Sequence, residues 1–178
     1  MKALNFKSYD PLAPSSWRQW ESPLGTLTLV ARGAALSALY FPNQAPNLPT
    51  PAERQNPALQ AACRWLESYF QGLRPHPAQL DLAPLGTPFQ LTVWQLLSQL
   101  PYGETLTYAQ LAQRVALQLQ RSSMAPRAVG GALGRNPLPI ILPCHRILAA
   151  QHRLGGFSGG LEVKEWLLQL EGISYRRS

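Results

Sequence analysis

A thiol and an imidazole are adjacent in the tetrapeptide Pro143-Cys144-His145-Arg146. The thiolate is the reactive form of cysteine, and a basic or positively charged neighbourhood populates it near neutral pH. Cys144 is therefore a candidate nucleophile. The apolar run before it, Pro139-Ile140-Ile141-Leu142, predicts an extended approach in which successive side chains point to opposite faces. His145 then reaches the sulfur only through a turn or a bridging water, and the alternative is a buried cysteine beside a surface histidine.

A carboxylate occurs at an unfavourable place near the end of the sequence. Residues 161–170 predict a helix closed by Gly172, and Glu171 falls in its final turn, where the helix end is partly negative. A residue that violates a local structural preference, such as a carboxylate at the C-terminal end of a helix, often occupies a functional position. Glu171 is thus a candidate to orient His145 in a Cys/His/Glu relay, and a solvated surface carboxylate is the alternative.

Three further helices have clear start signals in the second half. Two capping boxes, Thr87-Pro88-Phe89-Gln90 and Thr107-Tyr108-Ala109-Gln110, predict starts near residues 88 and 108, and Pro126 suits a first helical position. Two short helices with a connector are typical of a helix-turn-helix. The connector, residues 116–125, is long for that motif, so the pattern alone leaves DNA binding open.

The first half predicts a small α+β unit. Residues 26–30 alternate like a strand and residues 35–41 complete a hairpin, followed by a proline-rich loop over 43–57. Asn56 caps a helix that begins at Pro57, and helical spacing places Cys63 on its buried face as a core residue. A short apolar strand over 80–85 suggests a boundary between domains 1–85 and 86–178.

Charge and composition narrow the class of protein. The net charge is +7, and from residue 86 onward nine basic side chains face four acidic ones. This excess favours a polyanionic partner, nucleic acid before acidic lipid, with a merely solubilising surface as the alternative.

Several kinds of protein are not favoured. Two cysteines are too few for a disulfide scaffold or a zinc cluster, and the first ten residues lack the apolar stretch of a secretory signal. We expect a cytoplasmic protein with no membrane association. Neither a phosphate-binding glycine loop nor a set of ligands at metal spacing occurs, so we expect no cofactor and no metal.

Several motifs together resemble the O6-alkylguanine-DNA alkyltransferase family. They are Val93-Trp94, Pro101-Tyr102-Gly103-Glu104-Thr105, Arg127-Ala128-Val129-Gly130-Gly131-Ala132, Gly134-Arg135-Asn136-Pro137, the run from 139 to 146, Ser158-Gly159-Gly160 and residues 164–172. The resemblance covers residues 86–174, while the first half matches in its order of strand, strand and helix. It implies an α+β protein, with a ribonuclease H-like domain before a mainly helical domain that carries a winged helix-turn-helix-like motif.

The resemblance also implies direct-reversal DNA repair in a single turnover. The protein would flip an O6-alkylguanine out of double-stranded DNA and take the alkyl group irreversibly onto Cys144. His145 would be the base, acting through a water, and Glu171 would orient it. Asn136 would support the cysteine loop by hydrogen bonds.

The same resemblance assigns the DNA-binding residues. Arg127 would enter the base stack in place of the extruded base, and Tyr108 would crowd the adjoining phosphate and donate a proton toward the base. The other implied DNA contacts are Ala128, Gly130, Gly131 and Arg135. The implied base pocket consists of Ser158, Phe157, Ile147 and Tyr108. We expect a monomer, and clustering along DNA is left open.

The sequence departs from the family pattern in two places. The connector between Tyr108 and Arg127 is several residues longer than usual, and Phe157 stands where many members have tyrosine. Two other functions are alternatives. A lesion-sensing relative without transfer typically replaces the acceptor cysteine, which this sequence keeps, and a thiol hydrolase would need an oxyanion site that nothing here specifies.

Overall fold

Residues 6–48, 50 and 55–177 are described by a computed structural model, in which the chain divides into two units, Met1–Leu85 and Gly86–Ser178. Both helices and sheet are present, which confirms the α+β class. None of the helices in the described part is long and apolar enough to cross a membrane.

The first unit is built on an antiparallel sheet of three strands, β1 (Ser15–Ser22), β2 (Gly25–Arg32) and β3 (Ala35–Tyr40), in that order. The predicted hairpin corresponds to β2 and β3. Strand β1 was not predicted, because this outer strand buries only Ser16 and has the pattern of a polar segment.

One helix packs against this sheet, α1 (Pro57–Phe70), and its predicted start is confirmed. The Asn56 carboxamide oxygen accepts hydrogen bonds from the Ala58 and Leu59 N–H groups, and its Nδ2 donates to the Gly33 carbonyl at 2.8 Å. The prediction that Cys63 is a core residue is wrong. Cys63 is only half-buried, because the buried face runs through Leu59, Ala62, Trp65, Leu66 and Tyr69.

Two other predictions for this unit concern the proline-rich loop and the strand before the domain boundary. The loop over 43–57 is described in part, since Pro49 and residues 51–54 lie outside the described residues. The predicted strand over 80–85 is reduced to an isolated parallel bridge between Leu82 and Leu36.

The second unit contains the helices α2 (Pro88–Leu97), α3 (Tyr108–Gln118), α4 (Pro126–Leu133) and α5 (Leu161–Leu170). Both capping boxes and the start of α4 at Pro126 are confirmed. Two short strands, β4 (Leu106–Thr107) and β5 (Ile147–Leu148), pair in parallel and connect the start of α3 to the segment after Cys144. The Trp94 indole donates to the Ala132 carbonyl at 2.9 Å, which fixes α2 against α4.

Candidate active site

Cys144 lies in a single 3-10 turn, Cys144–Arg146, at the start of β5. The predicted extended approach is wrong. Residues 139–142 form turns, with Ile140 in the left-handed region at φ 72° and the Leu142 N–H donating to the Leu138 carbonyl at 2.8 Å. The cysteine therefore projects from a tightly folded loop.

The Asn136 side chain organises this loop from within. Its Oδ1 accepts from the Leu138 N–H at 3.0 Å, and its Nδ2 donates to the Leu142 carbonyl at 2.7 Å. The same Nδ2 donates to the Cys144 Sγ at 3.1 Å. A hydrogen bond to sulfur favours the thiolate, so Asn136 both shapes the loop and stabilises the reactive form.

His145 and Glu171 form a buried pair next to this cysteine. The His145 Nε2 and the Glu171 Oε1 are 2.8 Å apart, and both side chains are fully buried. Glu171 is the C-terminal cap of α5, so the helix end presents its carboxylate to the imidazole. The alternative of a solvated glutamate is wrong, because its oxygens bind groups inside the protein.

Arg146 holds the other side of this carboxylate, a role that the sequence analysis missed. Its Nε donates to Glu171 Oε2 at 2.7 Å and its Nη2 to Oε1 at 2.9 Å, while its Nη1 donates to the Leu100 carbonyl at 2.6 Å. The guanidinium also lies 5.7 Å from the Tyr102 ring centroid. Its position beside His145 in the family motif was the available signal.

Lys164 is the second buried cation that the sequence analysis did not single out. Its side chain is completely buried in α5, and its Nζ donates to the main-chain carbonyls of Ile147, Leu154 and Gly156. Burial lowers the pKa of Lys164 to about 8, although a charge on Cys144 acts to raise it. Lys164 thus ties α5 to both ends of the segment from β5 to Gly156.

Burial and hydrogen bonding set the protonation states of the cluster. Burial raises the pKa of Cys144 to about 11, against the opposing effects of Asn136 and Lys164. Burial also lowers the pKa of His145, although Glu171 opposes the shift. Burial acts to raise the pKa of Glu171, but His145 and Arg146 outweigh it and hold that pKa well below its usual range. At neutral pH the cluster therefore holds a thiol, a neutral imidazole and a carboxylate.

A cavity of about 300 Å³ opens beside the thiol. Its walls come from α3, α4 and the loop before α5, and it is lined by Tyr108, Gly130, Leu133, Gly134, Cys144, Gly156, Phe157 and Ser158. The Phe157 ring meets the His145 ring edge to face, with centroids 6.5 Å apart. Ile147 is not among the lining residues, because its side chain is buried in the core.

Tyr108 faces this cavity from the first position of α3. Its hydroxyl donates to the Gly156 carbonyl at 3.3 Å. Burial raises the pKa of Tyr108, and a charge on Cys144 raises it further. The hydroxyl therefore stays protonated, and by rotating away from the Gly156 carbonyl it can donate toward a group in the cavity.

The helix α4 presents small residues and cations on its exposed side. Arg127, Ala128 and Gly131 are exposed, and Arg135, just beyond the helix, donates to the Gly131 carbonyl at 3.4 Å. Gly130 is half-buried, and a Cβ there would lie 3.6 Å from the Tyr108 ring. The same helix thus forms a wall of the cavity and an exposed basic surface.

Both units match known protein families. Residues 16–84 match the family model described as the ribonuclease-like domain of 6-O-methylguanine DNA methyltransferase, and residues 88–173 match the model of its DNA binding domain. Together the two matches account for nearly the whole described chain.

Individual relatives agree with the family models. The methylated-DNA–protein-cysteine methyltransferase of Haemophilus influenzae is 41% identical over 88% of this chain and 86% of its own length. That of Methanosarcina barkeri is 40% identical over 88% and 96%. The crystal structure of Mycobacterium tuberculosis OGT in complex with DNA has 37% sequence identity and a TM-score of 0.74, covering 88% of this chain and 92% of that one.

The raised thiol pKa predicts a steep pH dependence of Cys144 reactivity. With Cys63→Ala as the background, the rate of alkylation by iodoacetamide should rise about tenfold per pH unit from pH 6 to 8, since the thiolate fraction grows tenfold per unit below the pKa. Asn136→Leu should lower the rate across this range, because the sulfur loses its donor. A plateau above pH 7 in the parent would contradict the raised pKa.

Proposed function

This chain belongs to the family of 6-O-methylguanine DNA methyltransferases, and from that premise we propose that Cys144 takes the alkyl group from damaged DNA onto its own sulfur. The protein repairs DNA by alkyl transfer, as its relatives named for transfer to a protein cysteine indicate. The observation that carries the assignment is that Cys144 lines a cavity while bonded to Asn136. Cys63 instead lies half-buried on α1 in the other unit.

The cluster supports a direct displacement at the alkyl carbon. The thiol proton passes toward His145, and because Nε2 is bound to Glu171, Nδ1 is the ring nitrogen that receives it through a water. The sulfur then forms its bond to the alkyl carbon as the bond from that carbon to the guanine oxygen breaks.

The departing guanine carries the developing negative charge. The Tyr108 hydroxyl on the cavity wall donates a proton toward it, and the proton released from the thiol restores the balance. Phe157 offers the base an apolar face, and Ser158 adds a hydroxyl at the rim of the cavity. The thioether has no route back to a thiol, so each molecule acts once.

Double-stranded DNA with an O6-alkylguanine is the substrate that fits this arrangement. Residues 88–173 match a DNA binding domain, and the relative from Mycobacterium tuberculosis was solved with DNA. Extruding a base costs a few kcal/mol, which a planar guanidinium from Arg127 can partly recover by filling the gap. The small residues Ala128, Gly130 and Gly131 let the α4 backbone approach the strand, and Arg135, just beyond the helix, adds a positive charge for the phosphates.

Two remaining expectations concern the oligomeric state of the protein and its location in the cell. The five residues of the proposed reaction lie in one unit of one chain, which supports action as a monomer; they are Tyr108, Asn136, Cys144, His145 and Glu171. A cytoplasmic location stays a prediction from the composition.

The lesion-sensing alternative is not supported. The relatives carry the name of a methyltransferase, and this chain has a cysteine at position 144. A thiol hydrolase is not supported either, because those relatives are named for transfer to a protein cysteine rather than for hydrolysis.

Replacement of the acceptor separates transfer from binding. Cys144→Ala should abolish transfer from a methylated duplex, while the affinity for that duplex stays within about twofold, because the thiol contributes no phosphate contact. Cys63→Ala is the matched control and should transfer at the wild-type rate. Transfer that survives Cys144→Ala, measured with a duplex labelled in its methyl group, would refute the assignment.

Replacement of Arg127 tests the extrusion step. Arg127→Ala should slow transfer from a methylated duplex by at least about tenfold, which corresponds to about 1.4 kcal/mol of the extrusion energy. Transfer from the free alkylated base should change less than about twofold, because no stack has to be opened. Equal losses on both substrates would exclude this role.

Substitutions at two neighbouring glycines test whether the position of Tyr108 in the cavity wall matters for transfer. Gly155 has φ 63°, and a Cβ there would lie 3.1 Å from the Tyr108 ring, whereas a Cβ on Gly156 meets nothing within 4 Å. Gly155→Ala should therefore displace Tyr108 and slow transfer from the free base by about tenfold, since loss of a positioned proton donor costs this much or more. Gly156→Ala is the control, and equal rates for the two variants would contradict the prediction.

A further inference from the structure

A second groove lies on the surface of the DNA-binding unit, away from Cys144. It has a volume of about 480 Å³, compared with about 300 Å³ for the cavity beside the thiol. It is formed by the C-terminal half of α3 and the connector that follows, and it is lined by Gln113, Ala116, Leu117, Arg121, Ser122, Ser123 and Met124. We name it the connector groove.

The conformation of the connector is fixed where α3 ends. Gln120 is in the left-handed region at φ 53°, and its N–H donates to the Leu117 carbonyl at 3.1 Å. The Arg121 N–H donates to the Ala116 carbonyl at 2.8 Å. This pair of bonds closes the helix in the manner of a Schellman motif and turns the chain back along α3. The groove is therefore bounded by hydrogen-bonded backbone on this side.

The chemistry of the groove is mixed. Arg121, Ser122 and Ser123 are exposed and supply a guanidinium and two hydroxyl groups. The apolar part comes from Ala116, Met124 and Leu117, and the Leu117 side chain is 78% exposed. Hydroxyl and guanidinium donors beside an apolar surface match a sugar-phosphate unit, which has anionic oxygens next to an apolar ring face.

The chain segment that forms and flanks the groove carries charge of a single sign. The sequence contains no aspartate or glutamate between Glu104 and Glu162, and the arginines exposed within this interval are Arg114, Arg121, Arg127, Arg135 and Arg153. A segment whose charged side chains are all basic attracts a polyanion.

The groove adjoins the proposed site of base extrusion along the chain. Met124 precedes Arg127 by three residues, so their Cα atoms are no more than about 11 Å apart. Phosphates of one strand follow each other every 3.4 Å along the duplex axis. A duplex contacted by Arg127 therefore brings further phosphates within reach of the connector groove.

We propose that the connector groove binds the sugar-phosphate backbone of the DNA strand beside the lesion, with Arg121 pairing with a phosphate. Ser122 and Ser123 donate hydrogen bonds to phosphate oxygens, and Leu117 and Met124 contact the sugar. The inference rests on the proposed function, because it takes damaged DNA as the substrate.

The salt dependence of DNA binding tests the proposal. The affinity of Arg121→Gln for a methylated duplex is measured between 50 and 200 mM salt, beside the wild type and Arg64→Gln, which removes one exposed charge from α1 in the other unit. Loss of one phosphate contact should reduce the slope of log K against log salt by about 0.9 and weaken binding by about three- to tenfold at 100 mM. Arg64→Gln should keep the wild-type slope.

Transfer from the free alkylated base separates this inference from the proposed function. Arg121→Gln should transfer from the free base at the wild-type rate, which also establishes that the variant is folded. An unchanged slope for Arg121→Gln, or equal slope changes for both variants, overturns the groove contact and leaves the alkyl transfer intact. Failure of the wild type to transfer at all overturns the proposed function itself. If Arg121→Gln abolished the binding of an acidic peptide and left DNA binding unchanged, the groove would be assigned to a protein partner. That result would overturn the proposal.

Discussion

The active site depends on one buried carboxylate. An ionised carboxylate inside a protein is strongly unfavourable unless donors surround it, and Glu171 is satisfied by His145, by two nitrogens of Arg146 and by the Gly103 N–H. These donors come from the cysteine loop and from the turn before β4, and the acceptor comes from the end of α5. The hydrogen bonds that stabilise this one carboxylate therefore hold these three segments in place around the thiol.

The groups around the thiol have separate roles in setting its reactivity. The hydrogen bonds from His145 and from Arg146 keep the carboxylate ionised, so Glu171 can fix the ring of His145 while that ring stays neutral and able to accept a proton. Asn136 acts on the sulfur directly. With a pKa of about 11, the resting thiol is mostly protonated and reacts slowly with other electrophiles. This suits a protein that each reaction consumes.

Sequence reasoning succeeded where the signal is local. Capping boxes at Thr87 and Thr107 and the proline at Pro126 predict helix starts because the groups involved lie within one turn. It failed where contacts between residues distant in the sequence determine the conformation or the burial of a residue. The loop before Cys144 looked extended because the bonds from Asn136 that fold it are invisible in the apolar pattern. Arg146 and Lys164 were overlooked because cations are normally exposed, and only the fold supplies acceptors that allow their burial.

The intact mass of the wild-type protein, measured after incubation with an excess of duplex that contains one O6-methylguanine, shows whether Cys144 accepts the alkyl group. We expect a gain of one methylene group per molecule, mapped by peptide analysis to the segment that contains Cys144. An unchanged mass despite tight binding to the methylated duplex, or a methyl group on the peptide that contains Cys63, would contradict it.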